Sequence, residues 1–112
     1  MTLSQKQAEF TQDIALLLQE MAKRGMKPVL GEVERTSAQA AIYAQQGVGI
    51  VDSLHCKKLA ADIHLFNADG ILLGDVKDYE PFGEFWEKLR PQNRWGGKFK
   101  RVDSDHFERQ DI

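Results

Sequence analysis

The chain has a single cysteine, Cys56, so no intrachain disulfide is possible and a reducing compartment suits it. Charge of one sign is also missing. The formal net charge is −2 with 29% charged residues, which does not describe a strongly basic nucleic-acid binder. Long hydrophobic runs are absent: none approaches the roughly 20 apolar residues of a membrane span. The start, Met1-Thr2-Leu3-Ser4-Gln5-Lys6, lacks the basic stretch and continuous apolar core of a secretory leader. No membrane anchor, no nucleic-acid partner and synthesis in the cytoplasm without a signal peptide are therefore expected. There is no repeat, low-complexity tract or linker. With 42% hydrophobic residues, the composition is that of a globular protein, and 112 residues support one domain (1–112) with one modest core, expected as a monomer.

Apolar spacing supplies the elements. Phe10, Ile14, Leu17 and Met21 recur at helical intervals, so residues 4 to 24 read as a helix, with Ser4 and Gln7 as a capping box and Gly25 and Pro28 as its stop. Residues 29–33 read as a short strand, with Gly31 marking a bulge or close approach. Thr36 caps a second helix, with Gln39 in box position, Gly47 as its end, and Ile42 and Tyr43 packing inward. From Ala60 the chain reads as a strand that alternates Asp62, His64 and Phe66 on one face with Ala61, Ile63 and Leu65 on the other. Asn67-Ala68-Asp69-Gly70 then makes a hairpin turn. Pro81 falls in the first turn of a helix whose stripe is Phe82, Phe85, Trp86 and Leu89. Pro91 and Asn93 break the chain before Trp95-Gly96-Gly97, whose glycines allow a tight turn, and residues 102 to 109 form the last strand, next to the strand of Asp62. The expected architecture is α+β, helices packed on a short antiparallel sheet.

Two segments concentrate metal-binding chemistry. One is Ser53-Leu54-His55 with Asp62, on a loop that follows Gly49 and feeds a strand. The other is Asp103-Ser104-Asp105-His106-Phe107-Glu108. Together they offer two imidazoles and a carboxylate. Structural zinc sites usually lean on several cysteines, whereas open catalytic sites take three ligands from His, Asp or Glu. With one cysteine, the open site is the natural reading. Cys56 adjoins His55, but neighbours on an extended segment point to opposite sides, and it reads as a free thiol. His64 is a rival ligand, because it shares a strand face with Asp62.

Ser53-x-His55-x6-Asp62, followed by Asp103-x-x-His106-Phe107, resembles the zinc signature of the D-Ala-D-Ala carboxypeptidase and L-alanyl-D-glutamate endopeptidase family, which includes many phage endolysins. The family's first motif is Ser-x-His-x-x-Gly-x-Ala-x-Asp; Ser53, His55, Ala60 and Asp62 fit it, and Lys58 stands at the glycine. Trp95-Gly96-Gly97 and Arg35-Thr36 with Gln39 also fit, so the resemblance spans roughly residues 33 to 108. It implies Zn2+ held by His55, Asp62 and His106, and it does not use His64.

The resemblance further implies a peptidase that acts on the peptidoglycan stem peptide by a zinc-activated water. Asp103 is the candidate base, and Arg35 is the candidate for holding the carbonyl oxygen or clamping a substrate carboxylate. Ser53 and Gln39 bind substrate or orient ligands. By itself an arginine before a helix is a surface ion-pair residue. Small size and an aspartate at the base position favour the endolysin type, cutting between L-alanine and D-glutamate in host cell lysis, over a D-Ala-D-Ala carboxypeptidase. A catalytically silent zinc-stabilised binding module is the reading from another class. No separate cell-wall-binding module is expected, and another factor would release the protein to the wall. Glu108 orients a ligand or is exposed, and the cations Lys88, Arg90, Arg94, Lys98, Lys100 and Arg101 form a solvated face or a surface for an anionic wall polymer. Asp103 must leave ideal strand geometry at a turn or bulge around Ser104 to reach the metal. Lysine at position 58 predicts an ordinary right-handed loop, with its side chain in solvent.

Overall fold

The computed structural model describes residues 1–47 and 53–112; Gly49 lies outside the described residues. Among the described residues, three helices pack on a five-stranded antiparallel sheet, an α+β fold. Helix α1 (Leu3–Lys23) buries Phe10, Ile14, Leu17 and Met21, the expected stripe. Its capping box lies two residues earlier than expected. Thr2, in extended conformation, accepts from the Gln5 N–H at 3.2 Å, and the Gln5 side chain accepts from the Thr2 N–H at 2.8 Å.

Strand β1 (Lys27–Leu30) also begins earlier than 29–33, and it pairs antiparallel with β2 (Ala60–Phe66). Pairing continues past its end, where the Gly31 N–H donates to the Asp62 carbonyl at 2.7 Å and the Asp62 N–H donates to the Glu32 carbonyl at 2.9 Å. Gly31 is a close approach, since a Cβ there would meet His64 Nε2 at 2.8 Å. Helix α2 (Ser37–Gln45) is capped by Thr36, but only Ala40 is buried. Ile42 is exposed and Tyr43 half-buried, contrary to the inward packing expected. The apolar residues 40–42 and 44 run around this helix and make no stripe that could face the core.

Strand β2 alternates as predicted: Ala61, Ile63 and Leu65 enter the core, while Asp62, His64 and Phe66 are half-buried on the opposite face. The 67–70 turn leads to β3 (Leu72–Leu73), which pairs back on β2. Helix α3 (Val76–Leu89) starts a turn and a half before Pro81, which is interior and on the solvent-facing side, where a missing backbone donor costs least. Tyr79, Phe82 and Trp86 are buried on its inner face, and the Tyr79 hydroxyl ties the helix to β2 by donating to the Ile63 carbonyl at 2.9 Å. The chain after Pro91 forms a strand that was not anticipated, β4 (Asn93–Trp95). A 3-10 turn (Gly96–Lys98) follows, and β5 (His106–Arg109) is confined to the end of the expected 102–109 span. The sheet order is β1-β2-β5-β4.

Glycines 96 and 97 have negative φ, so positive-φ turning is not what they supply. They provide room. A Cβ on Gly96 would strike the Asp103 carbonyl and approach the His106 Cβ to 2.9 Å, and one on Gly97 would run into the Trp95 indole. Trp95 is buried, and its Nε1–H donates to the Ser104 carbonyl at 2.8 Å, which anchors the segment before β5 to the core. Among the described residues, no helix is long and apolar enough to cross a membrane.

Candidate metal centre

His55 sits in a 3-10 turn (Leu54–Lys57) capped by Ser53, whose hydroxyl accepts from the His55 N–H at 3.2 Å. The turn ends on Lys58, with φ 55° and ψ 40°. This is the left-handed conformation, so the right-handed path expected for the lysine is wrong, and only the exposed side chain matches the expectation. Left-handed backbone lets Leu59 N–H reach the Leu54 carbonyl at 3.0 Å and turns the chain directly into β2.

The His55 ring is buried, and its Nδ1 lies 3.1 Å from the Val33 carbonyl. A carbonyl only accepts, so Nδ1 donates to it, and Nε2, 3.4 Å from Asp62 Oδ1, is the ring nitrogen turned towards Asp62. His106 opens β5 in register with Asp62, and its Nδ1 lies 3.3 Å from the same Oδ1. His106 Nε2 is 2.7 Å from Glu108 Oε1, and Glu108 is buried and accepts from Arg94 Nε at 2.9 Å. Alternation puts His106 and Glu108 on one strand face, a signal already present in the sequence.

His55, Asp62 and His106 could hold a metal ion: one donor atom from each lies within 4.8 Å of the others. The fit can be tested against zinc geometry. Metal–ligand distances of about 2.0–2.1 Å in a tetrahedron place ligand atoms about 3.3–3.4 Å apart. The two histidine-to-Asp62 separations, 3.4 and 3.3 Å, match that spacing, and both imidazoles have their second nitrogen held by an oxygen.

The electrostatics of the metal-free centre follow from crowding. Burial pushes the Asp62 carboxyl up, but hydrogen bonds and charge from His106 and His55 outweigh it and hold the group well below the usual carboxylate range. Burial pulls His106 down, but Asp62 and Glu108 outweigh it and raise the imidazole to about 9. Burial likewise opposes the net lowering of Glu108 by His106 and Arg94. Asp105 is raised to about 6 by burial and by the Asp103 and Asp62 carboxylates.

The other sequence candidates fall around this centre. The chain turns at residues 103–105, the His106 N–H donating to the Asp103 carbonyl at 3.1 Å, and Asp103 Oδ2 lies 3.9 Å from His106 Nδ1. His64 shares the Asp62 face, but its Nδ1 lies 3.4 Å from Asp105 Oδ2, away from the three-residue cluster. Cys56 is a free thiol. Arg35 is gripped by Glu32, donates to the Ser53 hydroxyl at 3.2 Å, and lies 4.9 Å from the Tyr43 ring centre. Arg35, Ser53, His55, Asp62, Asp103 and His106 line one open cavity of about 490 Å³, with Phe99, Arg101 and Val102 on its wall. Gln39 is outside that lining, its backbone N–H held by Thr36. Sequence reasoning did not single out Glu32, the partner of Arg35, or Phe99, whose ring centre is 5.7 Å from that of His106.

The sequence matches no family profile and no curated protein. Among solved structures, the fold is similar to the L-Ala D-Glu endopeptidase ChiX of Serratia marcescens. The likeness covers 92% of this chain and 79% of that one, with a TM-score of 0.77 and 19% identity.

Proposed function

We propose that this chain is a zinc peptidase of peptidoglycan that hydrolyses the L-alanyl-D-glutamyl bond of the stem peptide, in the manner of a phage endolysin. The observation that carries the reading is the pair of histidine-to-Asp62 separations at zinc spacing, with the other nitrogen of each imidazole held by the Val33 carbonyl or by Glu108, in the lining of an open cavity. The fold's likeness to an L-Ala D-Glu endopeptidase supports the substrate class.

His55 Nε2, His106 Nδ1 and Asp62 Oδ1 would hold the ion, which when bound supplies Lewis acidity for a peptide carbonyl and a more acidic water. The Asp103 carboxylate takes the proton of the attacking water and passes it to the leaving amine of D-glutamate. Its half-exposed side chain at the cavity edge suits a group that must reach both. Arg35 donates to the carbonyl oxygen as negative charge develops there, and its two N–H bonds to Glu32 fix the guanidinium plane for that purpose. The Ser53 hydroxyl, engaged by both Arg35 and the His55 N–H, positions these two groups relative to each other. Gln39, in α2 and outside the cavity lining, would meet only a part of the substrate that extends beyond the cavity.

The chain acts as one peptidase domain and as a monomer. Digestion of purified peptidoglycan, followed by mass spectrometry of the products, tests the reading. New N-terminal D-glutamate and C-terminal L-alanine are expected. Free D-alanine alone would identify a carboxypeptidase instead, and no product would leave a zinc-stabilised binding module.

A further inference from the structure

The basic segment around residues 88–101 largely disperses into ion pairs. Arg90 is held by Glu9 and Asp13, Arg94 by Glu108, and Lys98 by Glu87. Arg35, the other guanidinium on the cavity wall, is neutralised by Glu32. Arg101 differs from all of these. It is exposed, lines the cavity, and has no ion-pair or hydrogen-bond partner among the described residues. Its place in the chain matters as much as its charge. Arg101 stands two residues before Asp103, and both residues line the cavity.

A substrate carboxylate near the leaving nitrogen would be met from this segment. A D-glutamyl residue that continues a peptide through its side-chain carboxyl keeps its α-carboxyl, attached to the carbon that bears the leaving nitrogen. Asp103 must deliver a proton to that nitrogen, so the α-carboxyl lies two bonds from the atom that Asp103 serves. A neighbouring, unpaired guanidinium is the complementary group, with a planar fork that matches a carboxylate.

We propose that Arg101 is a specificity-determining residue that reads a free α-carboxylate on the residue leaving the scissile bond, and that it disfavours stems in which this carboxyl is an amide. This rests on the peptidase reading above. A terminal D-alanine presents a carboxylate at the same place, so a D-alanyl-D-alanine peptide is included in the test to separate that source from D-glutamate.

Two synthetic stem peptides are compared, identical except for a free α-carboxyl or an α-carboxamide on D-glutamate. The wild-type chain should favour the acid about tenfold in kcat/KM, the scale of one charge-assisted hydrogen bond at an open site, with the difference in KM. R101Q should bring the ratio close to one, while K100Q, in the next residue but outside the cavity lining, should keep it. The D-alanyl-D-alanine peptide should remain uncut. A preference retained in R101Q, lost equally in K100Q, or absent in the wild type would overturn the inference while cleavage of the peptides leaves the peptidase reading standing. Release of D-alanine with an R101Q-sensitive KM would move the recognised carboxylate to that substrate. No cleavage of either stem peptide or of intact peptidoglycan would remove both.

Discussion

Replacing Lys58 with glycine should stabilise the protein, although the residue is exposed and its removal deletes an ion pair. At φ 55° and ψ 40°, the lysine Cβ is crowded by its own backbone, a cost of about 1–2 kcal/mol for an L-residue. Glycine removes that cost and returns about 0.5–1 kcal/mol to the unfolded chain as extra freedom. The lost contact, Lys58 Nζ to Glu34 Oε2 at 3.9 Å, joins two exposed side chains and contributes next to nothing. The net gain is roughly 0.5–1 kcal/mol. With an unfolding entropy of about 2.1 cal/mol/K per residue, that raises the Tm by about 2–4 °C. Lys58→Ala keeps a Cβ in the left-handed region and should show no gain, so the pair of variants separates backbone strain from loss of charge. Calorimetry of the zinc-loaded protein measures both. A fall in Tm for Lys58→Gly, or an equal rise for Lys58→Ala, would refute the argument. Activity should stay within a few-fold, because the side chain points to solvent.

Further expectations concern the centre itself. His55→Ala, Asp62→Ala and His106→Ala should each lose bound zinc by metal analysis, while His64→Ala and Cys56→Ser keep one ion per chain; stoichiometric zinc in His106→Ala would defeat the ligand assignment. Asp103→Asn should retain its zinc and nearly full stability yet lose on the order of a hundredfold or more in turnover, the scale of a general base, and Asp105→Asn should lose much less. Equal losses from both would mean the wrong carboxylate had been chosen. In the metal-free protein, His106 is raised from 6.5 to about 9, so its stabilising contribution is complete below about 6.5 and disappears as pH rises through 9. Chelated protein should therefore lose this contribution in denaturant melts between those values. The zinc-loaded form should be spared that loss, and chelated melts in which His106→Ala follows the wild-type pH profile would argue against it.

Much of the centre was legible because its logic is local. Alternation along β2 placed Asp62 opposite the core, and the register that brings His106 beside it follows from adjacent antiparallel strands. The turn around Ser104 was readable too, since an ideal strand would put Asp103 and His106 on opposite faces. Other features depended on tertiary context. Residue preference alone argues against left-handed backbone at a lysine, but the hydrogen bonds closing the 54–59 turn go with that conformation at Lys58. Strand β4 was hidden behind Pro91 and Asn93, because the Asn93 amide nitrogen donates in the interior to Asp13 and to the Trp86 carbonyl, partners 80 and 7 residues away. Local preference places Pro81 at a helix start, whereas α3 tolerates it in the interior on a solvent-facing side. The pairing of Arg35 with Glu32, and hence the distinct status of Arg101, appears only once the cavity is formed.

The central claim, that His55, Asp62 and His106 hold one zinc ion on which peptide hydrolysis depends, is tested most directly by titrating the chelated protein with zinc while new amino termini released from peptidoglycan are counted. The account predicts no release without metal, a linear rise to one equivalent per chain, and a plateau beyond it. Release that persists in the chelated protein, or one bound equivalent of zinc that restores none, would contradict it.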